Sequence, residues 1–352
     1  IFLRDEDSGD LWSPTIAPIR VENGSYTARH GQGYSRFEHE SRDIAVDLMQ
    51  FVPLDDPVKI SLVKITNTSR RARNLSLTAY VEWVLGTVRE ASAPFIVTEI
   101  DAETGAMFAR NPMSNDFSGR IAFLDLDGRQ SSWTGDRGEF IGRNSTLATP
   151  RGLLRGTSLS NRTGAGFDPC GALQTNFRLQ PNGSIDIVVL LGETDTTSTA
   201  QAIIAKYRTA DLHAVFAKVA KFWDDTLGKV QIKTPDRALD ILVNRWLPYQ
   251  TLACRVWARS GFYQSSGAYG FRDQLQDSTS LIIVSPSTAR SHLLRAASRQ
   301  FPEGDVQHWW LRETGRGVRT RVSDDRIWLA YVAAHYVEGR GGPKARDERV
   351  PL

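Results

Sequence analysis

The stretch SIDIVVLLGETDTTSTAQAIIAKYRTADLHAVFAKVAKFWDDTLG, Ser184–Gly228, decides the fold, because the hydrophobic period changes inside it. In its first part Ile185, Ile187, Val189 and Leu191 alternate with their neighbours, the pattern of a strand with one apolar face. From Thr196 the chain turns Ala-rich. Leu212, Val215, Phe216, Val219, Phe222 and Trp223 then recur at three- and four-residue steps and make one helical stripe, which Gly228 stops. A β-rich half therefore precedes a helical half.

Upstream, the same period of two runs through Asp43–Phe51, Val58–Ile65, Leu75–Trp83 and Arg120–Leu126. Turn chemistry separates the runs: Pro53–Pro57, Asn67–Ser69, Asp127-Gly128 and Pro181-Asn182-Gly183. Many short strands without intervening helices predict an antiparallel β-sandwich over residues 1–195. Arg70–Arg73 reads as an exposed turn, and Arg29–His39 as an edge hairpin. Residues 196–233 read as a helical linker. Its Trp223-Asp224-Asp225 imitates an acidic site, but the helical stripe turns the Trp inward and the aspartates to water.

Downstream, residues 234–352 read as helical. Thr234 is expected to cap a helix with Pro235 in its first turn, and Pro248 to kink it. Ser285-Pro286 starts another helix, and Ser323 caps a last one carrying Ile327, Trp328, Tyr331 and Val332. Pro302–Arg321 reads as a long polar loop. The start at Ile1 and the polar tail Gly339–Leu352 suggest a piece of a longer chain.

Composition narrows the function classes. A net charge of +3, from 43 basic and 40 acidic residues without a basic run, argues against a nucleic-acid partner. Cys170 and Cys254 are the two cysteines, far apart and without metal-ligand spacing. No disulfide framework and no metal are expected, and a reducing, cytoplasmic location fits. No apolar run approaches the roughly 18–20 residues that span a bilayer.

Three polar stretches could carry chemistry. SGFYQSSGAYGFRDQLQD, Ser260–Asp277, joins a Gly-rich bend to Arg272, Asp273, Gln276 and Asp277. A guanidinium fork beside carboxylates suits vicinal sugar hydroxyls, although carboxylates in a helix's first turns also suit its dipole. EGDVQHWWLRETGRG, Glu303–Gly317, gathers Gln307, His308, Trp309 and Trp310, where flat aromatic faces beside amides suit a pyranose ring. RTRVSDD, Arg319–Asp325, adds Arg319, Asp324 and Asp325, the last two equally suited to a helix start.

These stretches, with RHGQGYSRFEHES (residues 29–41), LTAYVEWVLGT (77–87), ARNPMSNDFSGRIAF (109–123) and WTGDRGEFIGRN (133–144), resemble glycoside hydrolase family 94. The likeness is to the phosphorylase-like region of its cyclic β-1,2-glucan synthase branch, alongside the cellobiose, chitobiose and β-1,2-oligoglucan phosphorylases. The resemblance implies a large β-sandwich, a helical linker and an (α/α)6 barrel, the last incomplete here. It implies inverting phosphorolysis or glycosyl transfer on a β-1,2-linked glucan, with inorganic phosphate as co-substrate and no cofactor. Arg272 and Asp273 would hold the sugar, supported by Gln276 and Asp277. The general acid of the family sits in a Trp-Asn-Asp type motif that would lie beyond Leu352, so this chain alone is expected to be inactive. A membrane-attached parent chain, on the cytoplasmic side, is compatible with that branch. A non-catalytic carbohydrate-binding module and a glucoamylase-like hydrolase are the other readings the residues leave open.

Overall fold

The computed structural model describes residues 1–154, 156, 158–257, 267–312 and 314–340. The chain divides into two compact units, Ile1–Ala220 and Lys221–Leu352.

The first unit is a sandwich of antiparallel strands. One sheet holds β1 (Phe2–Asp5), β2 (Leu11–Trp12), β7 (Arg73–Glu82), β11 (Ser132–Asp136) and β12 (Pro169–Leu179), in the order β11-β12-β7-β1-β2. The other holds β3 (Ser25–Gly31), β4 (Tyr34–Ser41), β5 (Ile44–Phe51), β6 (Val58–Asn67), β8 (Val97–Ile100), β9 (Met107–Arg110), β10 (Ile121–Asp125) and β13 (Ser184–Thr194). Its order is β3-β4-β5-β6-β13-β10-β9-β8. The register carries the alternation read from the sequence across the strands: Leu48 faces Val63, and Val63 faces Ile187. All three are buried in one core with Leu75, Leu77 and Trp12. The expected hairpin at Arg29–His39 is β3–β4, and β3 is the edge.

Arg70–Arg73 needs a correction. Arg70 and Arg71 are exposed as expected, but the Arg73 side chain is 4% exposed and pairs with Asp5, which is fully buried. Arg73 Nε donates to Asp5 Oδ2 at 2.9 Å, and its Nη1 donates to the Arg42 carbonyl at 2.8 Å. The Asp7 and Ser8 amides donate to Asp5 Oδ1 at 2.9 and 3.2 Å. Arg73 is the first residue of β7, and strand alternation turns it inward where a turn would leave it in water.

A helix, α1 (Thr197–Thr209), closes this unit; Thr196 caps it by accepting from the Thr199 amide at 3.1 Å. Ala200, Ile203, Ile204 and Tyr207 are its buried face. Arg208 grips the buried Asp125 with bonds of 3.0 and 2.6 Å. The following helix α2 (Leu212–Leu227) buries Trp223, while Asp224 and Asp225 stay about two-thirds exposed in side-chain terms, at 64% and 63%.

The second unit opens on a helical run through Arg237–Ile241, Leu242–Trp246, Leu247–Gln250 and Thr251–Trp257, the second and fourth segments widened to π form. Its cap is Asp236, not Thr234: the Asp236 carboxylate accepts from the Ala238 and Leu239 amides at 2.8 and 3.4 Å. Thr234 instead donates to Asp240 at 2.9 Å. Downstream, α3 (Phe271–Thr279), α4 (Pro286–Ala297) and α5 (Asp325–Arg340) pack on one another, with the short helical turn Leu281–Val284 between the first two. The carbonyl of Asp324, not Ser323, takes the first amide bonds of α5, from Ile327 at 3.0 Å and Trp328 at 3.3 Å.

The unit is not purely helical. The expected loop Pro302–Arg321 contains β15 (Gln307–Leu311) and β16 (Gly317–Arg319), which join β14 (Ala268–Gly270) in a three-stranded sheet. The QHWWL run has strand period and β-forming aromatics. Gly315 turns the hairpin at φ +68°, and a Cβ on Gly317 would meet the Trp309 carbonyl at 2.0 Å.

Burial pushes the Asp5 carboxyl up, but Arg73 and the two backbone amides outweigh it and hold it below the ordinary carboxylate range. A lowered carboxylate pKa contributes stability that is present above the unfolded value and lost as pH falls through the folded one. Asp5→Asn should therefore cost the sandwich about 3–5 kcal/mol at pH 7 in urea unfolding, because it leaves the Arg73 charge buried without its partner. That gap should begin to narrow below about pH 4, where the unfolded parent takes up its proton, and close as pH falls through the lowered folded value.

Candidate functional site

The FRDQLQD helix divides by period. Phe271, Gln274, Leu275 and Ser278 form the buried stripe of α3, at steps of three and four. Arg272 and Gln276 are exposed, and Asp273 and Asp277 half-buried. The helix thus delivers its charged residues to one surface because its apolar residues claim the other.

Helix α5 meets that surface. Arg272 Nη1 lies 3.1 Å from Asp324 Oδ2, and its guanidinium stands 6.0 Å from the centre of the Trp328 ring. Asp325, the neighbour of Asp324, is 1% exposed, and its Oδ2 lies 2.7 Å from His308 Nδ1. The carboxylate accepts, so Nδ1 carries the proton, and Nε2 of a neutral ring is left as an acceptor. Arg272, Asp324, Trp328, Asp325 and His308 therefore form one connected cluster from α3, α5 and β15. A guanidinium fork, carboxylate oxygens, an imidazole and an indole are what a sugar's hydroxyls and apolar ring face require.

Other candidates have different jobs. Trp310 has no exposed surface; its ring lies 5.8 Å from Tyr269 and 6.4 Å from Phe271, with the Arg299 guanidinium 5.6 Å above it. It is a core residue and offers no face to a ligand, which corrects its assignment to a binding loop. Trp309, one residue earlier on the strand, is 39% exposed and pairs with Gly270 in the register. Gln307 Nε2 donates to the Gly315 carbonyl at 3.0 Å and ties the hairpin. Arg319 holds Asp305 with two bonds of 2.6 Å, reaches Glu303 at 2.9 Å and covers the Phe301 ring at 4.1 Å. That fork holds the Asp305 carboxyl below its usual range and raises the guanidinium further. Both residues brace the hairpin. Asp277 accepts from Arg255 Nε at 2.9 Å. Gln276 stays on the exposed face. Ser260–Ser266 of the Gly-rich bend fall outside the described residues.

Two participants escaped the sequence reading. The sequence places Trp328 on the last helix without marking it as a site residue, and Arg255 carries no signal. Gln274 is buried and donates through Nε2 to the Arg255 carbonyl. The three-and-four spacing from Phe271 would have placed it inside.

Comparisons with known proteins agree along the chain. The family described as "Glycosyl hydrolase 94, supersandwich domain" matches residues 1–210, and "Glycosyl hydrolase 94 superfamily, catalytic domain" matches residues 222–350. A cyclic beta-(1,2)-glucan synthase, NdvB of Rhizobium meliloti, is 41% identical over 352 residues, covering all of this chain and 12% of NdvB. An N,N'-diacetylchitobiose phosphorylase of Vibrio furnissii is 27% identical over 387 residues, covering all of this chain and 48% of the relative. Among solved structures, a bacterial glucoamylase complexed with acarbose aligns with a TM-score of 0.58 at 9% identity, over 96% of this chain and 51% of that one. That likeness shows the fold: a β-sandwich followed by part of an (α/α)6-type helical toroid.

The two neighbouring tryptophans should separate cleanly in stability. Trp310→Ala should cost about 3–5 kcal/mol in denaturant unfolding of the helical unit. Trp309→Ala should cost less than about 1 kcal/mol.

Proposed function

We infer, from the premise that this chain belongs to the glycosyl hydrolase 94 family, that its Arg272 cluster holds the sugar in an inverting glycoside phosphorylase or glycosyltransferase of β-1,2-glucan. The phosphorylase and glucan synthase relatives support oligosaccharide and phosphate as the substrate classes. The name of the 41% identical relative supports the β-1,2 linkage. The carrying observation is the meeting of Arg272 with Asp324 and Trp328 beside the His308–Asp325 pair.

In this reading the chain's residues bind and orient. Arg272 donates to ring hydroxyls, with Asp324 fixing the fork. His308 Nε2 accepts from a hydroxyl, with Asp325 fixing the tautomer. Trp328 and Trp309 offer apolar faces, and Asp273 and Gln276 add acceptors on the exposed side of α3. Inverting phosphorolysis then needs phosphate to attack the anomeric carbon while one acid protonates the departing oxygen. Asp277, Asp324 and Asp325 already accept from cationic or N–H partners, so they are poor candidates for a proton donor. We assign the general acid to a residue outside the described cluster. No helix among the described residues is long and apolar enough to cross a membrane; we place the active protein in the cytoplasm, with any membrane attachment elsewhere in a longer parent.

Calorimetry with linear β-1,2-gluco-oligosaccharides tests the reading. Saturable binding is expected, weakened about tenfold or more by Arg272→Ala. Binding that Arg272→Ala leaves unchanged would remove the sugar-holding role. With phosphate added, glucose 1-phosphate release that Asp324→Asn or Asp325→Asn abolished while sugar binding persisted would overturn the placement of the acid.

A further inference from the structure

The helical unit contains a polar pocket of about 260 Å³. Helix α4 lines it along three successive turns, with Ser287 and Thr288, then Ser291 and His292, then Arg295. Residues three and four apart share a helix face, so this is one continuous polar wall. Tyr269, Trp257 and Arg312 stand among the residues opposite. It shares no lining residue with the cluster of Arg272, Asp324, Asp325 and His308.

Its charge is one-sided. Among the described residues, two guanidiniums line it and no carboxylate does. Arg295 Nη1 reaches the Tyr269 hydroxyl at 3.3 Å, and its guanidinium lies 5.3 Å over that ring. The Tyr269 hydroxyl donates in turn to the Val256 carbonyl at 3.0 Å. Arg295 is thereby positioned by neutral groups, and among the described residues no carboxylate pairs with it. Among the described residues no carboxylate pairs with Arg312 either. Elsewhere in this unit Arg255, Arg272 and Arg319 each meet an acid within 3.1 Å. Serine and threonine hydroxyls beside two guanidiniums suit the oxygens of a phosphoryl group, which guanidinium forks grip in bidentate fashion. The volume falls just below the roughly 300–1,000 Å³ of drug-sized sites, which restricts the ligand to a small one.

We propose that this pocket is a binding site for a small phosphate-bearing anion, separate from the sugar-holding cluster. The proposal does not require the sugar reading to hold. Free inorganic phosphate and a sugar phosphate share the chemistry that the pocket recognises.

The test is calorimetric titration of the full chain with inorganic phosphate and, separately, with glucose 1-phosphate, at fixed ionic strength. Saturable one-to-one binding of at least one is expected. Arg312→Gln and Ser291→Asp, both at exposed positions, should each weaken it about tenfold or more without moving Tm. Tighter binding of glucose 1-phosphate would identify a phosphate monoester as the ligand; tighter binding of inorganic phosphate would identify the free ion. The proposal is overturned if neither anion binds saturably. It is also overturned if both variants bind like the parent, or if Arg272→Ala abolishes the binding.

Discussion

Burial of the Trp310 indole is the constraint from which the helical unit's candidate site follows. Its ring sits without exposure between Tyr269 and Phe271, which flank the start of α3. Tyr269 lies on β14 and Trp310 on β15, paired directly in the register. Once that ring is inside, strand alternation leaves Trp309 at the surface, and helical period turns Arg272 outward beside α5. The hydrophobic contribution of one large aromatic thus fixes the positions of several polar groups that could not fix themselves, since an exposed pair such as Arg272–Asp324 contributes only about 0–1 kcal/mol.

The polar groups around the cluster then sort by what they touch. Arg319, Asp305 and Gln307 spend their hydrogen bonds on the hairpin, so their chemistry is structural. Asp325 spends one oxygen on His308 and none on solvent, so it orients the ring. Arg272 and Trp309 keep exposed surface, which a ligand requires. The pocket beside α4 differs again: among the described residues its guanidiniums meet no acid, and that imbalance separates it from a cluster where acids and bases are matched.

Much of this was legible in the residues. The period of two in Asp43–Phe51 and Ser184–Leu191 placed strands that the register confirms. The stripe ending at Trp223 separated a buried indole from its exposed aspartates. Other features were hidden because their cause is distant in sequence. Arg73 reads as a turn residue until its partner Asp5, 68 positions away, is known. Gln307–Leu311 alternates over only five residues, too short to distinguish a strand from a polar loop. The role of Trp328 depends on α3, which sequence spacing does not bring near.

The most direct measurement is an NMR titration of the tryptophan indole N–H resonances with a β-1,2-gluco-oligosaccharide. The indole resonances of Trp309 and Trp328 should shift saturably, while that of Trp310 stays in place. A shift confined to Trp310, or none in Trp309 and Trp328 at saturating sugar, would contradict a sugar site built on a buried Trp310.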